Sequence, residues 1–433
     1  MPSQQLISPN LFAELSRLLP HCWQRNRGTL RPAHVLYAIL VMTVNGTHGY
    51  RRVLDYLKRT VGEQLGWSST PFPSSLSEAR AKLSPEQCRE AFQQIRARST
   101  FLCAPNRVLY AGLRIVAVDM TTLALPVSKT IRDTFQGPID ARGNASPAPQ
   151  ATLTTLWDIS ANAPLDWRLE PCYASERYAA HDMIQGLGPQ DLLLADRGYP
   201  SRRMFIDLNQ QGASFVIRVP TGPRGAFREL RDFSLNDPRV DEDILLHEDR
   251  QRTGDPTLKV RALKMKLPNG EAAVFVTNLF DRRTHTASAL CGLYAKRWDL
   301  ETALREMKVW HGLEQFHAKN PEGIHQEVSA LMIFMLLSAE LEHQARAVHA
   351  AEIAASKEAE NGEIRFNRKV IAESVAHLLT AAANGKAAVD AEYEYCMKEI
   401  WKFRQRVRPG RSFPRVAKSP NSKWKRTTYN TKK

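Results

Sequence analysis

The chain changes its residue pattern near position 110, and this change constrains the fold more than any other feature of the sequence. Beyond it lie short runs rich in apolar and β-branched residues, bounded by Gly, Pro and Asn. These runs cover residues 113–119, 151–159, 165–173, 192–196 and 214–219. The segment between the third and fourth runs has room for a helix. Such a pattern predicts an α/β core in which helical crossovers connect the strands of a mixed sheet.

Helices are predicted on the N-terminal side of this core. Residues 33–42 form a strongly apolar helical segment after Pro32, a residue favoured in the first turn of a helix. Two capping-box patterns follow, Ser75-x-x-Glu78 and Ser84-x-x-Gln87, so two helices are expected to meet near Ser84 with almost no loop. This arrangement is compatible with a helix-turn-helix. Its candidate contacts to DNA phosphates are Arg80, Lys82, Arg89, Arg96 and Arg98. A helical bundle with a solvated basic face is the alternative, which the spacing alone slightly favours.

A second β segment is predicted after position 220. Residues 258–267 alternate apolar and basic side chains with one slip in the pattern. Pro268-Asn269-Gly270 is a turn signal, and residues 272–277 supply a return strand. We therefore expect residues 221–284 to be a β insertion into the α/β core.

The C-terminal part returns to a helical pattern. One helix is predicted from Thr286 to His311, ending at Gly312, and a second, from Gln326 to Ala347, is apolar enough to be buried. Helical spacing continues to position 402, whereas the basic segment from Arg404 is expected to be poorly ordered until it binds a partner. The predicted layout is a helical N-terminal region, an α/β core with its insertion, a helical C-terminal region and a basic tail. These parts cover residues 1–109, 110–345, 346–403 and 404–433.

The formal net charge of +15 is unevenly distributed along the chain. Residues 1–109 contain 14 Lys and Arg against 6 Asp and Glu, and residues 396–433 contain 13 against 1, which leaves a net −5 for residues 110–395. Basic flanks around a slightly acidic centre suit a nucleic-acid binder whose arms neutralise phosphates while central carboxylates hold cations. A basic tail that is only solvated is equally compatible with these charges.

The sequence also indicates a compartment. Its longest apolar stretch, Leu331–Leu337, is too short for the roughly 20 residues of a membrane-spanning helix, and the N-terminus lacks the pattern of a signal peptide. The six cysteines lie far apart without a C-x-x-C pair, so neither a zinc site nor a disulfide framework is predicted. We expect reduced thiols, a cytoplasmic location and no membrane partner.

Two carboxylates come at the ends of predicted strands. Asp119 follows Val116-Ala117-Val118, and Asp196 follows Leu193-Leu194-Ala195. Because the carboxyl ends of strands in open α/β sheets line the ligand crevice, the two side chains are expected to face each other across a small gap. Either one alone is a common turn or cap residue, but as a pair they are candidate ligands for a hard cation such as Mg²⁺. Other acidic residues are weaker substitutes: Asp158, Asp166 and Glu306.

A polar stripe marks the predicted helix from Thr286. Its members are Tyr294, Arg297, Glu301 and Lys308. At about 100° per residue, offsets of 3, 7 and 14 place them within a stripe roughly 60° wide on one face. A helix would scarcely bury such side chains unless a charged ligand or metal were bound there. Exposed ion pairs, Arg297 with Glu301 and Glu301 with Arg305, are the alternative. Trp298 points away from the stripe and is predicted to be a core residue.

The pattern Tyr-x2-Arg-x3-Glu-x6-Lys resembles the signature of the insertion-sequence-four (IS-four) family of bacterial DDE transposases. The contexts Asp196-Arg-Gly-Tyr199 and Arg297-Trp298-x-x-Glu301 are similar to those of the family as well. The resemblance extends over about residues 110–340 and, more loosely, over the N-terminal helices and the basic tail. It implies a ribonuclease-H-like catalytic domain whose β insertion lies between the second Asp and the Glu, preceded by a DNA-binding helical domain.

The resemblance also implies roles for six residues. Asp119, Asp196 and Glu301 correspond to the catalytic, metal-binding DDE triad, and Tyr294, Arg297 and Lys308 to the residues that handle DNA phosphates near the transposon end. A three-carboxylate site can hold two Mg²⁺ or Mn²⁺ ions about 3.5–4 Å apart. The implied activity is cut-and-paste transposition: hydrolysis at the element ends, then attack of the freed 3′-hydroxyl on target DNA. The implied partners are double-stranded element ends and target DNA in the nucleoid, bound by a dimer or larger synaptic complex.

Two other functions remain open at this point. The first is a metal-dependent nuclease or junction resolvase on the same fold, which would hydrolyse DNA without joining it. The second is a non-catalytic DNA-binding protein derived from a transposase, although the intact acidic triad counts against it. The absence of a Gly-rich phosphate loop and of a G-x-S-x-G motif argues against a nucleoside triphosphatase and a serine hydrolase.

Removal of the basic tail is expected to weaken DNA binding and flatten its salt dependence. Residues 404–433 contain 11 Lys and Arg and no Asp or Glu. Every phosphate that the shortened chain no longer neutralises should reduce the slope of log K against log salt by about 0.9 for duplex DNA. Equilibrium binding at several salt concentrations measures this slope for the full and shortened chains. An unchanged slope would show that the tail contacts something other than DNA.

Overall fold

The computed structural model describes most of the chain between residues 30 and 406. The described ranges are 30–45, 49–62, 67–99, 110–139, 143, 146–221, 227–236, 239–247, 257–266, 272–355, 364–382 and 386–406. The remaining residues, including nearly all of the predicted basic tail, lie outside this description. The first three tail residues are included: Gln405–Arg406 pairs as a short strand with Ile364–Arg365, and the Arg404 guanidinium lies 4.1 Å from the ring centre of Trp401. These three residues therefore contact the rest of the protein.

Eight strands form one mixed sheet in the order β3-β2-β1-β4-β5-β8-β7-β6. Their bounds are β1 Arg114–Ala124, β2 Gln150–Asp158, β3 Ala163–Pro171, β4 Asp191–Ala195, β5 Ser214–Val219, β6 Asp241–Leu246, β7 Leu258–Lys266 and β8 Ala272–Thr277. The strands β1, β4 and β5 are parallel, and the other neighbours are antiparallel. The predicted mixed α/β class is confirmed.

The segment predicted as a β insertion extends this same sheet. Its strands β7 and β8 form the predicted hairpin, and β8 pairs antiparallel with β5. Two elements escaped the sequence prediction: the strand β6, whose sequence DEDILL is half acidic, and a helix, α8 (Arg228–Asn236). The helix forms because Leu230 and Phe233, three residues apart, bury one face against the sheet.

Helices cover both faces of the sheet. One face packs against α6 (Glu176–Ile184), α7 (Arg202–Gln210) and α8. The other face borders a larger apolar cluster, to which the remaining described helices belong. The bounds of these helices are α1 Pro32–Asn45, α2 Tyr50–Val61, α3 Pro73–Arg80, α4 Pro85–Arg98, α5 Lys129–Phe135, α9 Ala287–Ala295, α10 Trp298–Val309, α11 Pro321–Val348, α12 Ala350–Ala355, α13 Arg368–Ala382 and α14 Lys386–Lys402. Alternate residues of each central strand thus enter two different apolar clusters.

The helix α11 lies at the centre of the larger apolar cluster, and its predicted burial is confirmed. It packs against α1, α4, α13 and the strand β3. Among the described residues it is the single helix long and apolar enough to cross a membrane. However, 89% of its most apolar 18-residue segment is buried inside the protein. Its apolar surface is therefore used for internal packing.

The predicted helix from Thr286 to His311 is wrong in one respect. The structure divides it into α9 and α10, and Lys296 and Arg297 form a turn between them. Both residues keep right-handed helical dihedrals, but the N–H groups of Arg297 and Leu300 bond to carbonyls three residues back instead of four. A tightened turn of this kind rotates the following residues relative to a regular helix.

The N-terminal helices use part of their basic surface internally. The capping box at Ser84 and Gln87 is confirmed, with both hydrogen bonds present. The one predicted at Ser75 is wrong, because Pro73 begins α3 two residues earlier. Three arginines proposed for DNA phosphates contact protein instead: Arg80 bonds to α11, and Arg89 and Arg96 bond to β3. The phosphate role is therefore wrong for the buried Arg80, whereas Arg89 and Arg96 use part of their guanidinium groups internally.

Arg80 has the most extensive of these internal contacts. Its side chain is 5% exposed and donates to Gln326 Oε1 at 2.8 Å, Glu327 Oε1 at 2.7 Å, the Gly323 carbonyl at 3.0 Å and the Tyr50 hydroxyl at 2.9 Å. Glu327 in turn accepts bonds from backbone N–H groups in the segment between α10 and α11. One guanidinium therefore joins α2, α3 and α11.

Replacing this arginine should destabilise the whole fold. Arg80→Met leaves Glu327 buried without its counter-charge, so we expect the free energy of unfolding to fall by about 3–5 kcal/mol. Arg98→Met, at an exposed arginine of α4, should change it by no more than about 0.5 kcal/mol. Denaturant titration of both variants measures the difference. A decrease of less than about 1 kcal/mol for Arg80→Met would show that the network contributes little.

Candidate catalytic site

The register of two parallel strands brings the first two predicted carboxylates together. The pairing of β1 with β4 matches Ala117 with Leu194, and two more residues along this register place Asp119 level with Asp196. Neighbouring strands lie about 4.8 Å apart, and residues in register point to the same face. One expectation needs correction: Asp119 does not end its strand, because β1 continues to Ala124 in antiparallel pairing with β2. The partner β4 is the strand that ends here, and this opens the space beside Asp119.

The third carboxylate comes from the helix that packs on the same face. The sheet residues preceding the two aspartates on this face, Ala117 and Leu194, belong to the cluster that also contains Leu300, Ala303, Leu304 and Met307 of α10. These four side chains attach α10 to the sheet, with β1 among its contacts. Glu301 lies in the first turn of this helix and is thereby directed toward Asp119. The charge of Glu301 acts on Asp119, and a shared role of Glu301 and the two aspartates stays a prediction.

Arg297 connects two of the three acids directly. Its Nη1 lies 3.0 Å from Asp119 Oδ2, and its Nη2 lies 2.6 Å from Glu301 Oε1. The side chain is 6% exposed. Burial alone would lower the pKa of Arg297, but Tyr294 and the three carboxylates raise it, so the guanidinium remains charged. The sequence alternative of an exposed Arg297–Glu301 pair is therefore wrong about exposure, although the pair itself exists.

Tyr294 contacts the remaining acid. Its hydroxyl donates to Asp196 Oδ1 at 3.1 Å, and its ring packs edge-on against Phe275 with 4.5 Å between ring centres. Burial, together with the charge of Asp196, raises the pKa of Tyr294, which keeps the phenol protonated as a donor. Three members of the predicted stripe thus meet the two strand aspartates in one place.

Lys308 lies farther along the same helix. Its Nζ donates to the Thr122 carbonyl of β1 and lies 3.4 Å from Glu314 Oε1. Its contacts are therefore with β1 beyond Asp119 and with Glu314, and no contact with Asp119, Asp196 or Glu301 is found among the described residues. The structure places Lys308 at the edge of the site, partly exposed.

The carboxyl group of Asp119 has a perturbed acidity. Burial raises the pKa of Asp119 to about 6, and the charges of Glu301 and Asp196 add to this effect. Arg297 and the Met120 N–H, which donates to Asp119 Oδ1 at 2.9 Å, act in the opposite direction. A shift of this size at a cleft carboxylate is typical of functional sites.

The three acids supply the oxygen ligands that hard divalent cations prefer. In the present arrangement, however, Arg297 occupies the position between Asp119 and Glu301. Across the part of the chain that is described, no group of three or more His, Cys, Asp or Glu side chains is close enough to share one metal ion. The donor chemistry fits a divalent metal, but the guanidinium holds the positions that such an ion would need.

The substitutes considered from sequence lie elsewhere. Asp158 is buried at the other end of β2 and accepts the Ala161 N–H in the turn to β3. Asp166 pairs with Arg89 and Arg168, and Glu306 pairs with Arg368 at 3.0 Å. Trp298 was predicted to be a core residue, but it is 54% exposed, because it lies about 180° around α10 from the buried Leu300 and Met307.

Two neighbours of the site were not proposed as site residues. Tyr199 is 2% exposed, and burial, Asp119 and Glu176 raise its pKa. Glu176 begins α6 and lies against Gly198, where its Oε1 is 2.7 Å from the position that a Cβ would occupy. The sequence could have indicated Tyr199, because this residue ends the Asp196-Arg-Gly-Tyr199 pattern. No sequence pattern could have indicated Glu176, because its position beside Gly198 depends on how α6 packs.

The acidity of Asp119 predicts a pH-dependent contribution to stability. A carboxyl whose pKa is higher in the folded state than its unfolded value of about 3.9 favours the folded state below that value and loses this effect as the pH rises through about 6. Relative to Asp119→Asn, the wild-type chain should therefore gain on the order of 2 kcal/mol as the pH falls from about 7 to about 4. Urea unfolding of both chains across this pH range measures the difference in their free energies of unfolding. Parallel stability curves would contradict a raised pKa.

Comparison with known proteins identifies the family. The family model described as a transposase DDE domain matches residues 110–337, more than half of the chain. The transposase InsG for insertion sequence element IS4 of Escherichia coli (strain K12) is 21% identical over 263 residues, which cover 60% of this chain and 59% of that relative's length. A piggyBac transposase in a synaptic complex with hairpin DNA aligns with a TM-score of 0.41 and 12% identity, over 94% of this chain and 84% of that one. The chain belongs to the DDE-domain transposases, of the IS4 type that its Tyr-Arg-Glu-Lys signature predicts.

Proposed function

We propose that the chain is a DNA transposase that moves an insertion sequence by a cut-and-paste mechanism. It hydrolyses phosphodiester bonds at the element ends and then joins the freed 3′-hydroxyl groups to target DNA. The observation that carries the proposal is the meeting of Asp119, Asp196 and Glu301 at the end of β4, with Arg297 and Tyr294 between them. A nuclease would require only the first of these two reactions.

The strand order supports a ribonuclease-H-like catalytic domain over residues 110–345. In the series β3-β2-β1-β4-β5, the antiparallel strands β3 and β2 precede the parallel strands β1, β4 and β5, and residues 221–284 are added beyond β5. The proposed layout retains the helical DNA-binding region before residue 110, the helical region 346–403 and the basic tail. Packing of α1 and α4 against α11 suggests that the first of these regions is attached firmly to the catalytic domain.

The family implies a divalent metal, and we propose two Mg²⁺ or Mn²⁺ ions held by Asp119, Asp196 and Glu301. When bound, such ions activate the attacking oxygen and stabilise the leaving oxygen of an in-line displacement. The protein supplies the carboxylates at fixed positions, because β1, β4 and α10 belong to one packed core. A rigid support of this kind reduces the reorganisation needed during the reaction.

The cationic and phenolic groups are proposed to position DNA. A guanidinium such as that of Arg297 can hold a phosphate through two parallel hydrogen bonds, and Lys308 acts as a point charge at the edge of the site. Tyr294, held protonated, is a hydrogen-bond donor. The bound partners would be duplex element ends and target DNA, brought together by a dimer or larger assembly.

The acidic triad can be tested with matched amide variants. We expect Asp119→Asn, Asp196→Asn and Glu301→Gln each to abolish cleavage while DNA-end binding stays within a few-fold of wild type, because each change removes a charged ligand and little shape. The control is Asp299→Asn, two residues from Glu301 in the first turn of α10, which should retain activity. The substrate is a duplex that carries the inverted repeats flanking the gene, with Mg²⁺ supplied.

Cleavage and joining are measured separately in this experiment. Joining of pre-cleaved ends to a target plasmid by the wild-type chain supports a transposase, whereas cleavage without joining would indicate a nuclease or resolvase. DNA binding without either reaction would indicate a non-catalytic derivative. Near-normal cleavage by any one of the three variants would remove that residue from the proposed site.

A further inference from the structure

The site contains its own cation. The Arg297 guanidinium lies between Asp119 and Glu301, at 3.0 and 2.6 Å, and is nearly inaccessible to solvent. An arginine side chain cannot lose its proton in a protein, so its positive charge is permanent. Two of the three acids proposed as metal ligands therefore already share one positive charge in this fold.

A divalent cation and this guanidinium cannot use the same carboxylate oxygens together. Both are positive, both need the space between Asp119 and Glu301, and low local polarity strengthens their repulsion. For the same reason, removal of the guanidinium without a replacement would leave clustered carboxylates uncompensated. The guanidinium and a divalent cation are thus alternative occupants of this space.

Three features allow Arg297 to change its position. It lies in the turn between α9 and α10, not inside a regular helix. Its Nε is buried without a hydrogen-bond partner among the described residues, so the side chain is not fixed at every donor. Its guanidinium carbon lies 5.8 Å from the ring centre of the exposed Trp298, which offers a cation–π surface on the solvent side.

We infer that Arg297 is a positioning residue that takes the place of a divalent cation until the site is loaded. It keeps Asp119 and Glu301 in register in the metal-free protein, and it gives up at least one of them when a metal ion binds. The released guanidinium is then available for a DNA phosphate. This inference rests on the proposed function for the identity of the metal site and of the phosphate partner.

A reciprocal coupling follows from this exchange. A phosphate that holds Arg297 away from the carboxylates strengthens metal binding, and a metal ion that displaces Arg297 strengthens DNA binding by the same factor. The protein without DNA should accordingly bind metal weakly. The coupling would keep the metal occupancy of the site low until a DNA end is bound.

Metal affinity in the absence of DNA tests the exchange directly. We expect Arg297→Gln to bind Mn²⁺ about tenfold tighter than wild type, or more, because the competing charge is gone. Arg297→Lys keeps the charge but cannot span two carboxylates, so its affinity should lie between the two. Lys296→Gln, at the exposed neighbour in the same turn, should match wild type. Mn²⁺ is titrated into each protein in mildly alkaline buffer. The electron paramagnetic resonance signal of free Mn²⁺ is monitored and gives the affinities.

The sign of the effect separates this role from a purely structural one. Loss of structure would weaken Mn²⁺ binding in Arg297→Gln, whereas loss of a competitor strengthens it. The variant should also unfold at a lower temperature than wild type without metal and recover with Mn²⁺, because binding to the folded state stabilises it. Unchanged or weaker Mn²⁺ binding by folded Arg297→Gln would overturn the inference.

The wild-type chain provides a second measurement in case the variants do not fold. Addition of Mg²⁺ should change tryptophan emission as the guanidinium moves relative to Trp298, and Trp298→Phe should lose that change while the other seven tryptophans remain. No metal-induced change in wild type would contradict the exchange. Failure of the proposed function is distinguishable, since it would appear as absent cleavage and joining whatever the Mn²⁺ affinities are.

Discussion

The pairing of β1 with β4 is the constraint on which the site depends. Their parallel register sets Asp119 beside Asp196, and the early end of β4 leaves room for a third side chain on the same face. The buried side chains of α10 then determine where Glu301 lies. Backbone hydrogen bonds and apolar packing therefore position three like charges that would separate in a less rigid framework.

Internal ion pairs use much of the positive charge that the composition suggests for DNA. Arg80, Arg89 and Arg96 attach the N-terminal helices to α11 and β3, and Arg297 is enclosed by carboxylates. A guanidinium is well suited to this work because it makes several directed bonds and remains charged when buried. Net charge alone is consequently a poor guide to which residues of this chain face a nucleic acid.

Sequence patterns predicted the elements that depend on local signals. Apolar runs and turn residues identified the central strands, and the Tyr-Arg-Glu-Lys spacing included three side chains that lie beside the aspartates, but Lys308 lies farther along β1. The break at Lys296 and Arg297 could not be predicted, since neither residue disfavours a helix. The contacts of Arg80 with Gln326 were equally inaccessible, because they join positions 246 residues apart. The features that the sequence did not predict were mostly contacts between residues far apart in the chain.

The order of the site residues along the chain has a consequence for when the site can assemble during synthesis. Asp119 and Asp196 emerge from the ribosome well before α10, and the strands β7 and β8 that complete the sheet beside β5 are made between them and Glu301. Contacts of such long sequence separation form late in folding. A nascent chain therefore contains Asp119 and Asp196 without Glu301 and Arg297, and the four side chains come together only when the C-terminal helices pack on the sheet.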